Sequence, residues 1–136
     1  MACELCDTPG GDVLWQDDLC RVVAVDMPDY PGFCRVILNR HVAEMTDLPD
    51  AERQRLMYVV FAVEAALRHL MCPDKINLAS LGNVVPHVHW HVIPRFADDA
   101  HFPQPIWTAP VRAGVRHAAP DRETLRAALA EALPPI

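Results

Sequence analysis

Between Pro86 and Arg95 the chain reads Pro-His-Val-His-Trp-His-Val-Ile-Pro-Arg, with histidine at every second position over three turns of the pattern. Side chains alternate across an extended backbone, so the rhythm demands a β-strand: it places His87, His89 and His91 on one face and Val88, Trp90 and Val92 on the other. Successive rings stand about 6.5 to 7 Å apart along such a strand, near enough to act on one ligand and too far to bond one another without twist. One histidine facing solvent is ordinary. Three in strict alternation are not, because imidazole titrates nearest neutral pH and is the side chain most used as acid, base, nucleophile or metal ligand. Spacing alone leaves two chemistries open, catalysis by the rings or a transition-metal site completed by a converging ligand.

The rest of the chain supplies a frame for that strand. Val13 to Gln16 and Leu19 to Val25 read as antiparallel strands joined by a tight turn at Asp17-Asp18, and Phe33 to Leu38 follows the turn chemistry of Asp29-Tyr30-Pro31-Gly32 as a third strand. From Pro49, apolar residues Leu56, Val59, Val60, Val63, Leu67 and Leu70 recur at spacings of three and four until Pro73, which predicts one long helix with its stripe on a sheet face. Ile76 to Leu81 and Val88 to Ile93 read as two more strands, the second ended by Pro94. The proline-rich run Asp98 to Pro110 predicts an extended surface segment that Trp107 anchors, and Leu125, Leu129 and Leu133 mark a short amphipathic helix over 121–133. The class is α+β, a five-stranded antiparallel sheet with one long helix packed across it and a C-terminal helix. The 136 residues fit one domain, with its core at about residues 3–96 and residues 97–136 adding the extended segment and the last helix.

Composition excludes several function classes. The longest uncharged apolar stretch, Leu56 to Val63, is far below the roughly 20 residues of a membrane span. Eleven of the 12 basic side chains are arginine and they are scattered among 18 acids, so no stripe for polymeric nucleic acid exists and an anionic ligand would be small and locally bound. The N-terminus lacks the basic and apolar regions of a secretory signal, which predicts a cytoplasmic protein. Five cysteines in that compartment argue against a disulfide framework, and Cys3 and Cys6 alone have ligand-like spacing. Cys20, Cys34 and Cys72 read as small buried hydrophobes, His101 and His117 as solvated, and His69 as a charge favouring the C-terminus of the long helix.

The string His-apolar-His-apolar-His-apolar-apolar from His87 to Ile93 resembles the signature of the histidine triad (HIT) family of nucleotide hydrolases and transferases. Val25-Asp26 at a strand end and Gly32 to His41 support the likeness upstream, over roughly residues 3 to 96. The resemblance implies attack by His89 on the α-phosphorus of a nucleotide, a nucleotidyl-histidine intermediate, and its hydrolysis by water. A neutral imidazole suits that role if an acceptor holds its other nitrogen protonated. The resemblance further implies that His91 bonds phosphate oxygens and assists the leaving group with His87 in support. Asp26 and Asn77 would sit near ribose and phosphate, and Gly82-Asn83 would add donors. No metal is required for that chemistry. The implied substrate is a purine nucleotide or dinucleotide cleaved at an anhydride, ester or phosphoramidate, and the implied assembly is a homodimer.

Two departures bear on the pocket. Asn83-Val84 stands where family members often have glutamine and a hydroxyl residue, and Phe33 replaces a common histidine, where packing is its expected role. Some bacterial members complete a structural zinc site from two cysteines and two histidines, which here would be Cys3, Cys6, His41 and His87. Two alternatives remain beside the hydrolase: a nucleotide-binding module with little turnover, and a metal-dependent hydrolase using the histidine cluster as ligands.

Overall fold

The computed structural model describes residues 2–134. Its elements are a one-turn helix α1 (Glu4–Asp7), strands β1 (Asp12–Gln16), β2 (Cys20–Ala24) and β3 (Cys34–Leu38), a 3-10 turn at Met45–Asp47, helix α2 (Asp50–Met71), strands β4 (Lys75–Ala79) and β5 (His89–Arg95), and helix α3 (Arg122–Ala132). The strands form one antiparallel sheet in the order β1-β2-β3-β5-β4, so the histidine strand is interior and β4 is an edge. The α+β architecture expected from the periodicities is the one observed.

Local chemistry explains the joints. Asp17 Oδ1 accepts hydrogen bonds from the backbone N–H of Leu19 and Cys20 at 2.9 and 2.8 Å, which closes the β1-β2 turn. Gly32 lies at φ 87°, and a Cβ there would collide with Met71 Sδ, so the turn into β3 requires glycine both for conformation and for space. Helix α2 carries Asp50 and Glu52 in its first turn and Arg68 and His69 in its last, in keeping with its dipole. It ends at Cys72, which adopts the left-handed conformation at φ 50° before Pro73. Cys72 is therefore exposed, contrary to its reading as a buried hydrophobe: the position that terminates the helix points away from the core.

One sheet face carries the main core. Val22, Cys34, Val36, Leu38, Val88 and Val92 meet Leu56, Val59, Val60, Val63 and Leu67 of α2, and Leu125, Leu129 and Leu133 from the C-terminal helix close the same cluster. Each of these large apolar side chains contributes about 1.5 to 3 kcal/mol by burial. The opposite face receives the histidines and is covered only at its margins, by α1 through Leu5 against Val23 and Ile37, and by the 99–107 strap through Ile106 against Tyr30, Phe33 and Ile93.

Two expectations about the strand and strap are corrected. Strand β5 continues through Pro94 to Arg95, paired with Ile76 and Lys75 of β4; its pairing with β3 stops at Val92, so beyond that point one side of β5 is an edge where a missing N–H is tolerated. The segment 98–110 is irregular but not a surface segment, since Asp99, Ala100, His101 and Ile106 are buried. Side chains satisfy its backbone. Asp99 accepts from the N–H groups of Phe96, His101 and Phe102, and Arg112 donates to the carbonyls of Asp99 and Phe102 at 2.7 Å.

Candidate active site

The two histidines of β5 form a pair. Their alternation on the strand puts both on the open face, with ring centroids 5.0 Å apart and planes at 85°. The Nδ1 of His89 lies 2.5 Å from the carbonyl oxygen of His87. A carbonyl only accepts, so Nδ1 carries the proton, and the Nε2 of the neutral ring keeps its lone pair. Ser80 Oγ donates to the His89 carbonyl at 2.8 Å and fixes the strand from its other side.

His91 is buried between Phe33 and Trp107, at centroid distances of 5.6 and 5.1 Å. Burial, then the neighbouring His89 and Arg35, lower its pKa to about 4, so it is neutral near pH 7. Its Nδ1 is buried and has no partner among the described residues. Phe33 is 1% exposed and packs with Tyr30, Ile93 and Ile106, the packing role expected of it.

His87 does not share their surface. It precedes β5, in a bend after Pro86, and its ring turns toward the N-terminal helix. Nε2–H donates to the Leu38 carbonyl at 2.6 Å, which leaves Nδ1 unprotonated, 3.5 Å from both Cys3 Sγ and Cys6 Sγ. Cys6 Sγ is also 3.4 Å from His41 Nδ1, and the four candidate ligand atoms lie within 4.8 Å of one another. Zinc bonded tetrahedrally to sulfur at about 2.3 Å and nitrogen at about 2.0 to 2.1 Å sets those two atoms about 3.5 Å apart, the spacing of the three sulfur–nitrogen pairs here, so the donor set fits the ion. Burial also lowers the pKa of His87, which keeps the ring in its ligating form. The triad thus divides: two rings face the open site and one joins the cysteines.

The remaining expected residues lie on β4 and in the loops after β2 and before β5. Asn77 of β4 shares the histidine face and its Oδ1 accepts from Arg95 Nη1 at 2.7 Å, so its amide hydrogens are free to donate elsewhere. Asp26 is exposed just past the end of β2. Gly82 has φ 111° in the loop before β5, where only glycine is at ease, and the exposed Asn83 follows it beside Val84, which is 93% exposed. A groove of about 690 Å³ runs from Asn77 and Ala79 to Pro103, Pro105 and Trp107. It opens beside His91, since Ala79 is the cross-strand partner of His91 and Trp107 packs on its ring.

Several residues of the site were not foreseen. Arg95, 2% exposed, forms a bidentate pair with Asp99 at 2.7 and 3.0 Å and also reaches the Gln104 carbonyl at 2.8 Å. Although burial alone would raise the Asp99 carboxyl, Arg95 and the three backbone donors hold it well below the usual carboxylate range. His101, expected to be solvated, is buried with Nδ1 against the Tyr30 hydroxyl. His117 is also not free in solvent: it stacks on Phe96 at 3.7 Å and bonds Asp98 at 2.7 Å. Phe102 lies under Arg95, whose Cζ is 5.7 Å from the ring centre. The signal available was Arg95 four residues before Asp99, which in the absence of a helix gave no reason to pair them. Cys20 and Cys34 are buried as expected, and burial pushes both thiols up to about 12, leaving them inert. No helix among the described residues is long and apolar enough to cross a membrane.

Comparison with known proteins adds relatives to this geometry. The model of the HIT domain matches residues 10–98. The AP-4-A phosphorylase of Mycobacterium tuberculosis is 31% identical over 81 residues, covering 55% of this chain and 42% of that protein. The asymmetrical bis(5'-nucleosyl)-tetraphosphatase of Schizosaccharomyces pombe is 30% identical over 91 residues, covering 63% and 50%. The chain thus spans about half the length of the curated relatives it matches. A Zn-bound histidine triad family protein from Mycobacterium smegmatis superposes with a TM-score of 0.65 at 25% identity, covering 96% of this chain and 95% of that one.

Proposed function

The chain belongs to the HIT domain family, and on that premise we propose that it is a nucleotide hydrolase or nucleotidyl transferase with His89 as its nucleophile. The observation that carries this reading is the hydrogen bond from His89 Nδ1 to the His87 carbonyl, which selects the tautomer whose Nε2 lone pair is available in the neutral ring. Nε2 attacks the α-phosphorus of a nucleoside phosphoanhydride, phosphoramidate or dinucleoside polyphosphate; the nitrogen-phosphorus bond forms as the bond to the leaving group breaks. Water then takes the nucleotidyl group, its oxygen bonding phosphorus while the electron pair returns to Nε2. His91, neutral near pH 7, serves as a hydrogen-bonding partner of the phosphoryl oxygens and leaving group, not as a resident charge. Asp26 and Asn77 bind the nucleoside side, with backbone donors near Gly82 and Asn83.

Cys3, Cys6, His41 and His87 are the residues that would hold zinc, as the zinc-bound relative from M. smegmatis encourages. Bound there, the ion would staple α1 to the sheet and fix His87, whose carbonyl sets the tautomer of His89. The proposal routes no chemical step through it. A metal-dependent hydrolase built on the triad draws less support, since the ligand cluster found among the described residues includes neither His89 nor His91. A purine dinucleotide is the substrate class that the names of the curated relatives suggest. Assembly as a homodimer belongs to the same proposal, with the β4 edge and the exposed Tyr58 and Phe61 of α2 as surfaces to be covered.

The test is an acid-labile adduct. Rapid quenching with labelled diadenosine tetraphosphate should trap adenylate on His89, and His89→Ala should abolish both adduct and turnover. Tight nucleotide binding with wild-type rates no higher than those of the variant would favour the binding module instead. Products formed with and without inorganic phosphate distinguish water from phosphate as the acceptor.

A further inference from the structure

The face that carries His89 and His91 holds one charged side chain with no evident employment. Arg35 stands on β3 opposite His91, and alternation puts it on the same face as Phe33, Ile37 and both rings. It is the only charged residue in β3. Its guanidinium is half-buried; the Glu4 carboxylate acts on it through space, but no carboxylate lies within ion-pair distance of it among the described residues. Nη1 makes one long contact of 3.5 Å to the Gly10 carbonyl, and Nε is buried with no partner among the described residues. Cζ sits 5.9 Å from the centre of the Phe33 ring.

Arg21, its neighbour on β2, shows what a structural arginine looks like on this face. It donates to the carbonyls of Pro9 and Leu5 at 2.8 and 2.6 Å and to Asn39 Oδ1 at 3.1 Å, and these bonds pin the N-terminal segment to the sheet. Arg35 pins nothing comparable. A half-buried cation without a counterion is costly, and it persists where an anion arrives to complete it. In a chain of net charge -6, this guanidinium, reached by the Glu4 carboxylate only through space and in contact with no carboxylate among the described residues, is a local attractor for a small anion beside the histidine pair.

We propose that Arg35 is a phosphate-binding residue, and that the partner its guanidinium lacks is a phosphoryl oxygen of an oligophosphate substrate. The inference rests on the reading of the His89–His91 face as a nucleotide site and deepens it, since it names the substrate class: molecules with more than one phosphate. The planar fork of arginine matches two oxygens of a phosphoryl group, a geometry that lysine cannot reproduce.

The decisive measurement uses the full chain with His89→Asn to stop turnover, and follows the ¹⁵N-labelled Arg35 Nε–H resonance, assigned with Arg35→Lys. Inorganic pyrophosphate and ADP should move it, and adenosine should not. ADP should bind at least about tenfold more tightly than adenosine, as expected of a charge-assisted bond to phosphate. Arg35→Gln should erase that ratio without weakening adenosine, and Arg35→Lys should restore part of it. A resonance unmoved by pyrophosphate and ADP overturns the inference, as does an Arg35→Gln protein that keeps the full ratio. Equal loss of adenosine and ADP affinity would put Arg35 at the base and also overturn it. If pyrophosphate moves the signal while no nucleoside binds, the phosphate site stands and the nucleotide reading falls. Should Arg35→Gln fail to fold, the titration of Arg35 itself decides.

Discussion

Two irregular segments flank the open histidine face, and they are fastened in opposite ways. The N-terminal segment is drawn in by soft ligand atoms, the sulfurs of Cys3 and Cys6 against His41 and His87, with Arg21 donating to the carbonyls of Leu5, Thr8 and Pro9 behind them. The 99–107 strap is fastened by a buried ion pair, Arg95 with Asp99, whose other hydrogen bonds go to backbone, to Asn77 and to the Tyr30 hydroxyl. On the zinc site proposed above, the first clamp would reach full strength when the ion is supplied; the second is complete within the chain. Fastening by metal suits the end that sets the His89 tautomer through His87. Fastening by charge suits the end that presents Asn77, Ile106 and Trp107.

The strap clamp is where the largest effect is expected. Asp99→Ala removes the acceptor for two guanidinium donors and three backbone N–H groups and leaves Arg95 charged and unpaired in the interior. Breaking one partner of a buried pair costs about 3 to 5 kcal/mol, so denaturant unfolding should show a midpoint far below that of the wild type. A change under about 1 kcal/mol would mean that water replaces the carboxylate and that the clamp is not what holds the strap.

Acid should act on the ring between the two clamps. His91 in the folded chain takes its proton near pH 4, whereas an unfolded histidine takes it near 6.5. Between these values the unfolded state binds more protons, so stability is full above about pH 6.5 and falls as pH drops toward 4, by at most about 3 kcal/mol. His87, lowered by burial too, adds to the same slope. In His91→Asn, unfolding free energies measured across this window should lose most of that dependence; an unchanged slope would assign it to other groups.

Removing the metal clamp is expected to do less. Chelation, or Cys6→Ser, should take bound zinc from one per chain to almost none by elemental analysis. The loss in stability should stay near the burial of one side chain, Leu5, about 1.5 to 3 kcal/mol, because the bonds from Arg21 remain. Global unfolding on chelation would reverse the comparison and make the N-terminal clamp the stronger of the two.

The contrast between the clamps also marks what was legible in the sequence. Periodicity located every strand and both long helices to within a residue or two, because a core face repeats every second or every third to fourth position and α2 and β5 obey that strictly. Cys3-x-x-Cys6 announced itself because ligand spacing is local. The strap did not, since Arg95, Asp99, Tyr30 and His101 meet through tertiary packing that no period encodes, and a proline-rich run reads as surface whatever lies beneath it. Strict alternation likewise overstated the triad: the bend after Pro86 releases His87 from the strand, so its ring answers to Leu38 and the cysteines while the other two follow the pleat. Arg35 was visible as the one charge in an apolar strand, but its lack of a partner emerges only in three dimensions.

The smallest expected effect bears most directly on whether the strap belongs to the site or only stands beside it. Trp107 is 48% exposed, so Trp107→Ala should cost under about 1 kcal/mol of stability, the range of a substitution outside the core. Its ring nevertheless covers His91, and burial is the first cause of that residue's low pKa. Uncovering the ring should let water stabilise the imidazolium, so the His91 titration followed by NMR should move up from about 4 toward its ordinary value. With it, the acid limb of turnover should shift to higher pH, while the rate at pH 8, where His91 is neutral in either protein, changes mainly through KM. If the titration stays at about 4, Phe33 and the sheet alone desolvate His91, and the strap is scaffold; if it moves, the ion pair of Arg95 and Asp99 acts on the chemistry through Trp107, at a distance that no local spacing reveals.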